Sequence, residues 1–501
     1  MKQQKGVNKQ IQQSVFNLIT QMAGSCLLAY PFVCYKLGWV MSIIIMIHSA
    51  VSMLICMYYY IQACYYTRAM SYKDLAVKLL GKKFGMVLDI SLLVSYYGFM
   101  TAYVIISSRG VVNFVKNNFG YSMSTQITKI VICLCIIFPL TLLKSLKQLS
   151  RIATVAGMII FVFVGSTVFY FFYAISNDGV LCTYKKDDAI IKISMSFPAF
   201  PSQSSLTQFL WFIMYLPSMH ANLSTHPSMP RFLKELVAPY PQRLIMLHKS
   251  LRISIAIAVV LFVVVGFTGA ATVGANIKQN FLQSFEPCGF LWSDLLSLFY
   301  ALVVMINFPL VLYPLKTSLV QTFGHQIETK KGYMISVFIN IAFITAALLL
   351  ALFLETIVSI FGLFASIAGF FYYFFMPFYC FIIAKKLKSH YSQLDTITDN
   401  AQQLSILEQT KNQAVKDFTT KESVLVAKTT QELQGEGILD GDIPAQSFDE
   451  NGFITEIQHP FKSVDINRKL TGIIIIIVYA LICIEGVYMN MGDVIDGFKK
   501  K

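Results

Sequence analysis

Apolar residues fall into eleven long runs along this chain, at 14–35, 39–66, 86–108, 127–143, 151–176, 206–226, 251–275, 291–315, 332–354, 356–384 and 470–491. Each is close to the roughly 20 residues that a helix needs to cross a bilayer. The pattern predicts an all-α integral membrane protein with eleven transmembrane helices. The run 356–384 is long enough to tilt or kink, with Pro377 as the kink. The polar stretches between runs are short except for an outer loop at 177–205 and a mixed-charge segment at 385–469. The latter, with "NAQQLSILEQTKNQAVKDF" and "QELQGEGILDGDIP", reads as a flexible linker. The expected layout is a tail at 1–13, a core at 14–384, the linker at 385–469, a last helix at 470–491 and a tail at 492–501. One stretch fits neither class. In "SYKDLAVKLLGKKFG", 71–85, Leu75, Leu79 and Leu80 sit at helical spacing among Lys and Asp. That predicts an amphipathic helix along the membrane surface, with Ser71 and Asp74 as a capping box.

Two of the runs are interrupted. "NLITQMAGSCLLAYPF", 17–32, carries Gly24, Ser25 and Cys26 in mid-run, then Pro31. "FLWFIMYLPSMHANLSTHPSMPRF", 209–232, carries Pro217, Pro227 and Pro230 with His220, Asn222, Ser224, Thr225 and His226 between them. Bare backbone in a bilayer is tolerated only where protein or a water-filled cavity satisfies it. The interrupted runs are the first and the sixth. If 14–176 and 206–384 are inverted copies of one five-helix unit, the two breaks are equivalent positions. Paired breaks of that kind point to a transporter's binding site near the midplane. Half-helix N-termini there present amides to a carboxylate, and unwound carbonyls can hold a small cation. Gly24 and Ser25 are small enough to let a ligand approach the backbone. A packing glycine is the plainer reading of the first break alone, and the matching second break weighs against it.

Composition agrees with a membrane solvent. Of 501 residues 56% are hydrophobic and 13% charged, against about 25% charged in soluble chains. The net charge of +14 could point to nucleic acid, but its distribution points to topology. The loops 1–13, 67–84, 144–151, 230–252 and 316–331 hold 19 Lys and Arg, and the opposite loops hold eight. The asymmetry places the N-terminus in the cytosol and excludes nucleic acid as a partner. The C-terminus then falls on the far side, where Lys499, Lys500 and Lys501 run against the rule. The first run is too long for a cleaved signal peptide. Eight of the ten cysteines lie in or beside apolar runs, as small buried hydrophobes do. Cys182 and Cys288 lie in loops on the oxidising side, where a disulfide between them is compatible with the topology. No paired metal ligands, phosphate-binding loop or nucleophile elbow occurs, so neither an enzyme nor a bound cofactor is expected.

At the broken runs the sequence resembles the amino acid/auxin permease family, which includes sodium-coupled neutral and proton-coupled amino acid transporters. "SVFNLITQMAGSCLLAYPF" is similar to that family's first helix. "SYKDLAVKLLGKKFG" resembles its first cytosolic loop. "YYGFMTAYVIISS", with Gly98 and Tyr103, resembles helix three. "FPLTLLKSLKQLSRIA" resembles the end of helix four. "THPSMPRFLKEL", with His226, Pro227 and Glu235, resembles the end of helix six. "NFPLVLYPLKTSL", with Pro309 and Pro314, resembles helix eight. The likeness runs along most of 14–384. It implies a LeuT-like fold, two inverted five-helix repeats plus an eleventh helix, and secondary active transport of amino acids. The substrate positions are then Gly24, Ser25, Cys26, Ala221, Asn222, Leu223 and Ser224. In proton-coupled members a disulfide joins the two outer loops that hold Cys182 and Cys288 here. The chain departs from the family in three places. Cys26 replaces the second family glycine, Ala221-Asn222-Leu223 replaces an aromatic triplet, and the 385–469 segment is added.

The coupling ion is a proton or sodium. In sodium-coupled relatives the ion lies between helices one and eight, which implies Thr20 and Asn307 as the candidate sodium ligands here. A proton needs a titratable group. His226, His220 and His48 are the histidines in apolar runs, and His226 sits at the sixth break. Glu485 is the carboxylate inside the last run. The expected protein is therefore a proton- or sodium-coupled carrier of small amino acids in the plasma membrane or a vacuolar or lysosomal membrane. The alternative is a transporter-like amino acid sensor that signals through 385–469.

Overall fold

A computed structural model describes residues 2–24, 26–143, 146–186, 189–200, 204–236, 240–325, 327, 329–354, 357–386, 482–488 and 490–491. Ser25, nearly all of the expected linker and both ends of the last run lie outside these residues. The helical body is formed by the chain up to Lys388 together with Ile476–Lys501.

The first run is cut where the sequence weakens it. α1 (Lys2–Ala23) stops before Gly24, and α2 (Cys26–Thr67) starts two residues after Gly24. A second break lies inside α2 at Gly38, whose φ of 76° and ψ of 162° only glycine adopts readily. It divides 26–37 from 39–67, so the first two runs appear as separate helices. α3 (Tyr72–Leu80) follows and ends at Gly81, φ 89°. α4 (Lys82–Phe119) leads to α5 (Thr125–Ile132) and α6 (Phe138–Thr141), which are joined by a π-helical turn at Cys133–Ile137. After α7 (Leu146–Ser176) the chain makes a hairpin of β1 (Val180–Lys186) and β2 (Ala189–Ser194), a feature the all-α expectation did not include. The sixth run becomes α8 (Ser205–Leu223), a 3-10 turn at His226–Ser228 and α9 (Met229–Glu235). α10 (Tyr240–Val273), α11 (Leu291–Thr322), α12 (Lys330–Phe353), α13 (Ile357–Gly369) and α14 (Met376–Lys386) complete the order.

Among the described residues seven helices are long and apolar enough to cross a membrane. The fourth run is shorter, at Thr125–Thr141. The sixth is cut in two, and most of the last lies outside the described residues. The π-helical turn Phe370–Phe375 joins α13 to α14 just before Pro377, and the other π turn just precedes Pro139. Proline has no N–H for the carbonyl four residues back. A π turn widens the helix there and absorbs the mismatch.

The helices meet through small residues, as membrane helices do in the absence of a hydrophobic drive between them. α4 lies along α11, and α2 lies along α10. A Cβ on Gly110 of α4 would stand 2.7 Å from the Ser297 carbonyl oxygen of α11. A Cβ on Gly98 would stand 2.9 Å from Phe364 of α13, and one on Gly266 of α10 would meet Tyr30 at 2.5 Å. Among the described residues two lysines are buried. Lys129 donates to the Ala351 carbonyl at 2.7 Å, in the last turn of α12. Lys316 donates to the Thr141 carbonyl at 2.7 Å, at the end of α6, where Asn340 also donates at 3.0 Å. Each ammonium thus sits at a helix C-terminus, the end that favours positive charge. They act as caps rather than as surface charges.

A disulfide between Cys182 and Cys288, with a Cα–Cα distance of 5.7 Å, ties β1 to the 3-10 turn Glu286–Cys288. α3 forms where the amphipathic pattern predicts, with Ser71 Oγ accepting from the Asp74 amide at 3.1 Å. It is fastened to the body more firmly than a helix lying on lipid would be. Tyr72 donates to the Tyr372 carbonyl at 2.8 Å. Lys73 pairs with Asp89 of α4 at 2.5 Å and bonds Thr322 of α11. Ser318 donates to the same Asp89 carboxylate at 2.7 Å.

The α4–α11 contact gives a direct test. Gly110→Val would drive a branched side chain into the Ser297 backbone, which cannot step aside as a side chain would. The expected loss is about 1–3 kcal/mol, read as a lower melting temperature of the detergent-purified protein. Gly120→Ala, at a left-handed helix end with open space around it, should lower it less.

Candidate functional site

Each break exposes backbone, and each is served by particular side chains. A helix leaves its last carbonyls without intrahelical partners. At the end of α1 those carbonyls are taken by Tyr300 of α11. Its hydroxyl lies 2.6 Å from the Gly24 oxygen and 3.2 Å from the Ala23 oxygen, and the residue is fully buried. The first amides of α2, from Cys26 onward, open at the same point. At the other break, Ser224 is extended (φ −82°, ψ 125°) and Thr225 leaves the helical region (φ −128°, ψ 22°). The Ser224 hydroxyl lies 2.8 Å from His226 Nδ1. The two broken helices are tied to each other one turn away, where Ser228 donates to Gln21 Oε1 at 2.8 Å.

A cavity of about 60 Å³ lies between the breaks. Gly24 and Cys26 line it from the first break, and Ala221, Asn222, Ser224 and Thr225 line it from the second. Tyr103 of α4 and Asn307 of α11 close another wall. A Cβ on Gly24 would stand 3.4 Å from both Asn307 Nδ2 and the Tyr103 hydroxyl. Three polar atoms of cavity-lining residues are buried with no partner among the described residues, namely Asn222 Oδ1, Asn307 Nδ2 and the Tyr372 hydroxyl. Buried polar atoms are rarely left so. An amide oxygen and an amide nitrogen in one lining fit a small ligand with both donors and acceptors.

The other expected residues are placed as follows. Leu223 is buried at the end of α8 and does not line the cavity. Ser25 lies outside the described residues. Thr20 is buried on α1, donates to the Phe16 carbonyl at 2.9 Å and faces Gly157 of α7 rather than the cavity. His226 is fully buried behind the break, ringed by Tyr60, Tyr72, Tyr372 and Tyr373 at 5.4 to 6.3 Å, and its Nε2 has no partner. His220 points to α2, with Nε2 at 2.9 Å from Ser52 Oγ and its ring 5.7 Å from that of His48. Glu485 is half-buried and does not line the cavity. Its neighbours on the last run pack elsewhere, where Asn490 donates to the Met214 carbonyl at 3.4 Å. No cluster of three or more His, Cys, Asp or Glu suited to a metal occurs among the described residues.

Sequence reasoning missed Tyr300, Gln21 and Ser228. Tyr300 is one aromatic among many in an apolar run, and nothing local marks it. Gln21 and Ser228 could have been found, since each is a polar residue one turn from a break.

A model of the family described as transmembrane amino acid transporter protein matches residues 8–402. The chain belongs to the transmembrane amino acid transporter family. That family consists of transporters, not enzymes. A relative within reach of sequence comparison is vacuolar amino acid transporter 4 of Saccharomyces cerevisiae, 21% identical over 304 residues. The match covers 59% of this chain and 39% of the relative, well short of the relative's full length. Among solved structures, the fold is similar to that of Mhp1, a nucleobase-cation-symport-1 family transporter, in a closed conformation with bromovinylhydantoin bound. The TM-score is 0.50 at 12% identity, over 72% of this chain and 76% of that one. The likeness is one of fold, and it makes this family member LeuT-like in architecture.

Tyr300→Phe should leave the Gly24 and Ala23 carbonyls bare. A buried acceptor without a partner costs about 1–3 kcal/mol. The expected result is a protein that inserts normally but melts lower and loses ligand-induced thermal stabilisation by amino acids, measured in detergent.

Proposed function

We propose that this protein is a secondary active carrier of small amino acids, working by alternating access and driven by a proton or sodium gradient. The observation that supports this reading is the shared cavity between two interrupted helices, whose lining includes two side-chain amides with an unpartnered end each. A cavity of about 60 Å³ suits a small ligand rather than a bulky one. The open amides at the start of α2 suit the substrate carboxylate, where the helix N-terminus also favours negative charge. Asn222 Oδ1 suits the ammonium, and Asn307 Nδ2 suits the carboxylate or a side-chain hydroxyl. Gly24 lets the substrate lie against the backbone. The flexible points at both breaks allow one group of helices to rock against the other.

The coupling ion is proposed to act beside this cavity. For sodium, Thr20 and Asn307 would contribute side-chain oxygens. For a proton, His226 is the titratable group at the second break. Glu485, away from the cavity wall, has a weaker claim. The lysine and arginine asymmetry supports a cytosolic N-terminus, and a relative named as vacuolar supports a vacuolar or lysosomal membrane alongside the plasma membrane.

Purified protein in proteoliposomes, supplied with labelled alanine under separately imposed proton and sodium gradients, tests the reading. Uptake should rise severalfold with one gradient. No uptake above protein-free vesicles, or binding without flux, would overturn it. Gly24→Val should reduce uptake at least tenfold with membrane insertion unchanged, because its two methyls would extend past the 3.4 Å contacts with Asn307 and Tyr103. Asn222→Leu should raise the KM for alanine more than it lowers the maximal rate.

A further inference from the structure

The three unpartnered polar atoms of the central cavity are not alike. Asn222 Oδ1 only accepts and Asn307 Nδ2 only donates, whereas the Tyr372 hydroxyl can do both. The two charged ends of an amino acid account for the amide atoms, and the hydroxyl is left over. Tyr372 and Tyr373 are the two polar residues of the π-helical turn Phe370–Phe375, and both line the cavity. Tyr373 is engaged, its hydroxyl 3.1 Å from Ser95 Oγ. Other hydroxyls of the wall are engaged too, Ser224 with His226 Nδ1, Ser228 with Gln21 and Thr225 with Met57 Sδ at 3.3 Å. Tyr372 is buried, and its neighbour from α4, the Tyr96 hydroxyl, lines the same cavity but stands outside hydrogen-bond geometry. Its position is fixed from behind. The Tyr72 hydroxyl donates to its carbonyl at 2.8 Å, and its ring lies 4.7 to 5.6 Å from those of Tyr373, Tyr72 and His226.

We infer that the Tyr372 hydroxyl reads the substrate's side chain, so that the carrier prefers amino acids with a short side-chain hydroxyl, such as serine, to their aliphatic isosteres. The inference rests on the carrier reading above and narrows its substrate class. The cavity lining carries no charged side chain, so nothing there calls for a charge on the substrate's side chain. A phenol held in place can accept from an alcohol or donate to it. A methyl group at the same point leaves the phenol buried without a partner and displaces any water that would serve it. Discrimination of this kind exceeds what shape alone gives, because the wrong substrate strands a polar group of the site. For one buried hydroxyl the expected preference is about tenfold to a hundredfold. Alanine, one heavy atom shorter, leaves the hydroxyl to a water and is still carried.

The test separates hydrogen bonding from size. Serine and 2-aminobutyrate have the same number of heavy atoms and differ in a hydroxyl against a methyl. Each competes with labelled alanine for flux into proteoliposomes containing the full chain. The expected result is at least tenfold stronger inhibition by serine. Tyr372→Phe, which removes the hydroxyl alone, should narrow that ratio at least fivefold. Tyr60→Phe removes another buried, unpartnered hydroxyl, from a tyrosine that does not line the cavity, and should preserve the ratio. Reading the ratio within each variant removes differences in folded amount. Should Tyr372→Phe carry no flux, thermal stabilisation of the detergent-purified variant by each compound gives the ratio instead. Equal inhibition by the two compounds in the unmodified protein would overturn the hydroxyl preference and leave the carrier reading standing. So would an unchanged ratio in Tyr372→Phe, or an equal narrowing in Tyr60→Phe. No alanine flux in the unmodified protein would overturn the carrier reading and this inference with it.

Discussion

A carbonyl left bare inside a bilayer has no water to turn to, and the end of α1 leaves its last carbonyls in that position. The Tyr300 hydroxyl, 2.6 Å from the Gly24 oxygen, supplies the missing partner. Much of the site depends on this contact. It allows α1 to stop in mid-run without the break being filled by another helix. It also fixes the break to α11, which carries Asn307 on the cavity wall. The first break is thereby satisfied on its carbonyl side, while the amides that start α2 face a space shared with the second break. A site of this design needs one satisfied end and one open end.

The surrounding scaffold keeps those ends in register. α4 and α11 can lie close because Gly110 has no side chain against Ser297. Gly98 does the same against Phe364. The buried lysines, Lys129 and Lys316, cap helix ends that would otherwise leave further carbonyls bare. Gln21 and Ser228 join the two broken helices directly. Movement of one broken helix is therefore passed to the other without a long chain of contacts. Both ends of that bond also line the cavity between the breaks.

Much of this was legible in the sequence, for identifiable reasons. Gly24 and the Ser224–Thr225 pair interrupt otherwise apolar runs, and the helices break there. Pro377 marked a disturbance, and the π turn before it is the form this takes. Ser71 and Asp74 marked the start of α3. What stayed hidden depends on contacts between residues far apart in the chain. Tyr300 lies 276 residues from the carbonyl it satisfies, and a tyrosine in an apolar run carries no local sign of its partner. The break at Gly38 was hidden because one glycine between two apolar runs reads as a loop residue. The hairpin escaped because its alternating residues, such as Ile191 and Ile193, sit in a loop between helices.

His226 shows how a sequence cue can name a residue without naming its role. A histidine at a helix break invites a proton, and Nε2 without a partner leaves room for one. Yet the ring is held at Nδ1 by Ser224 and surrounded by four tyrosines, with no carboxylate against it among the described residues. An imidazolium there would draw on ring faces rather than on a counter-ion. Tyr72, one of the four, belongs to α3 and also bonds the Tyr372 carbonyl. A charge arriving on His226 would thus be felt by the helix that also carries Lys73. The second break, the tyrosine ring and α3 are in this way parts of one contiguous assembly, and a change at any one of them has a short physical route to the others.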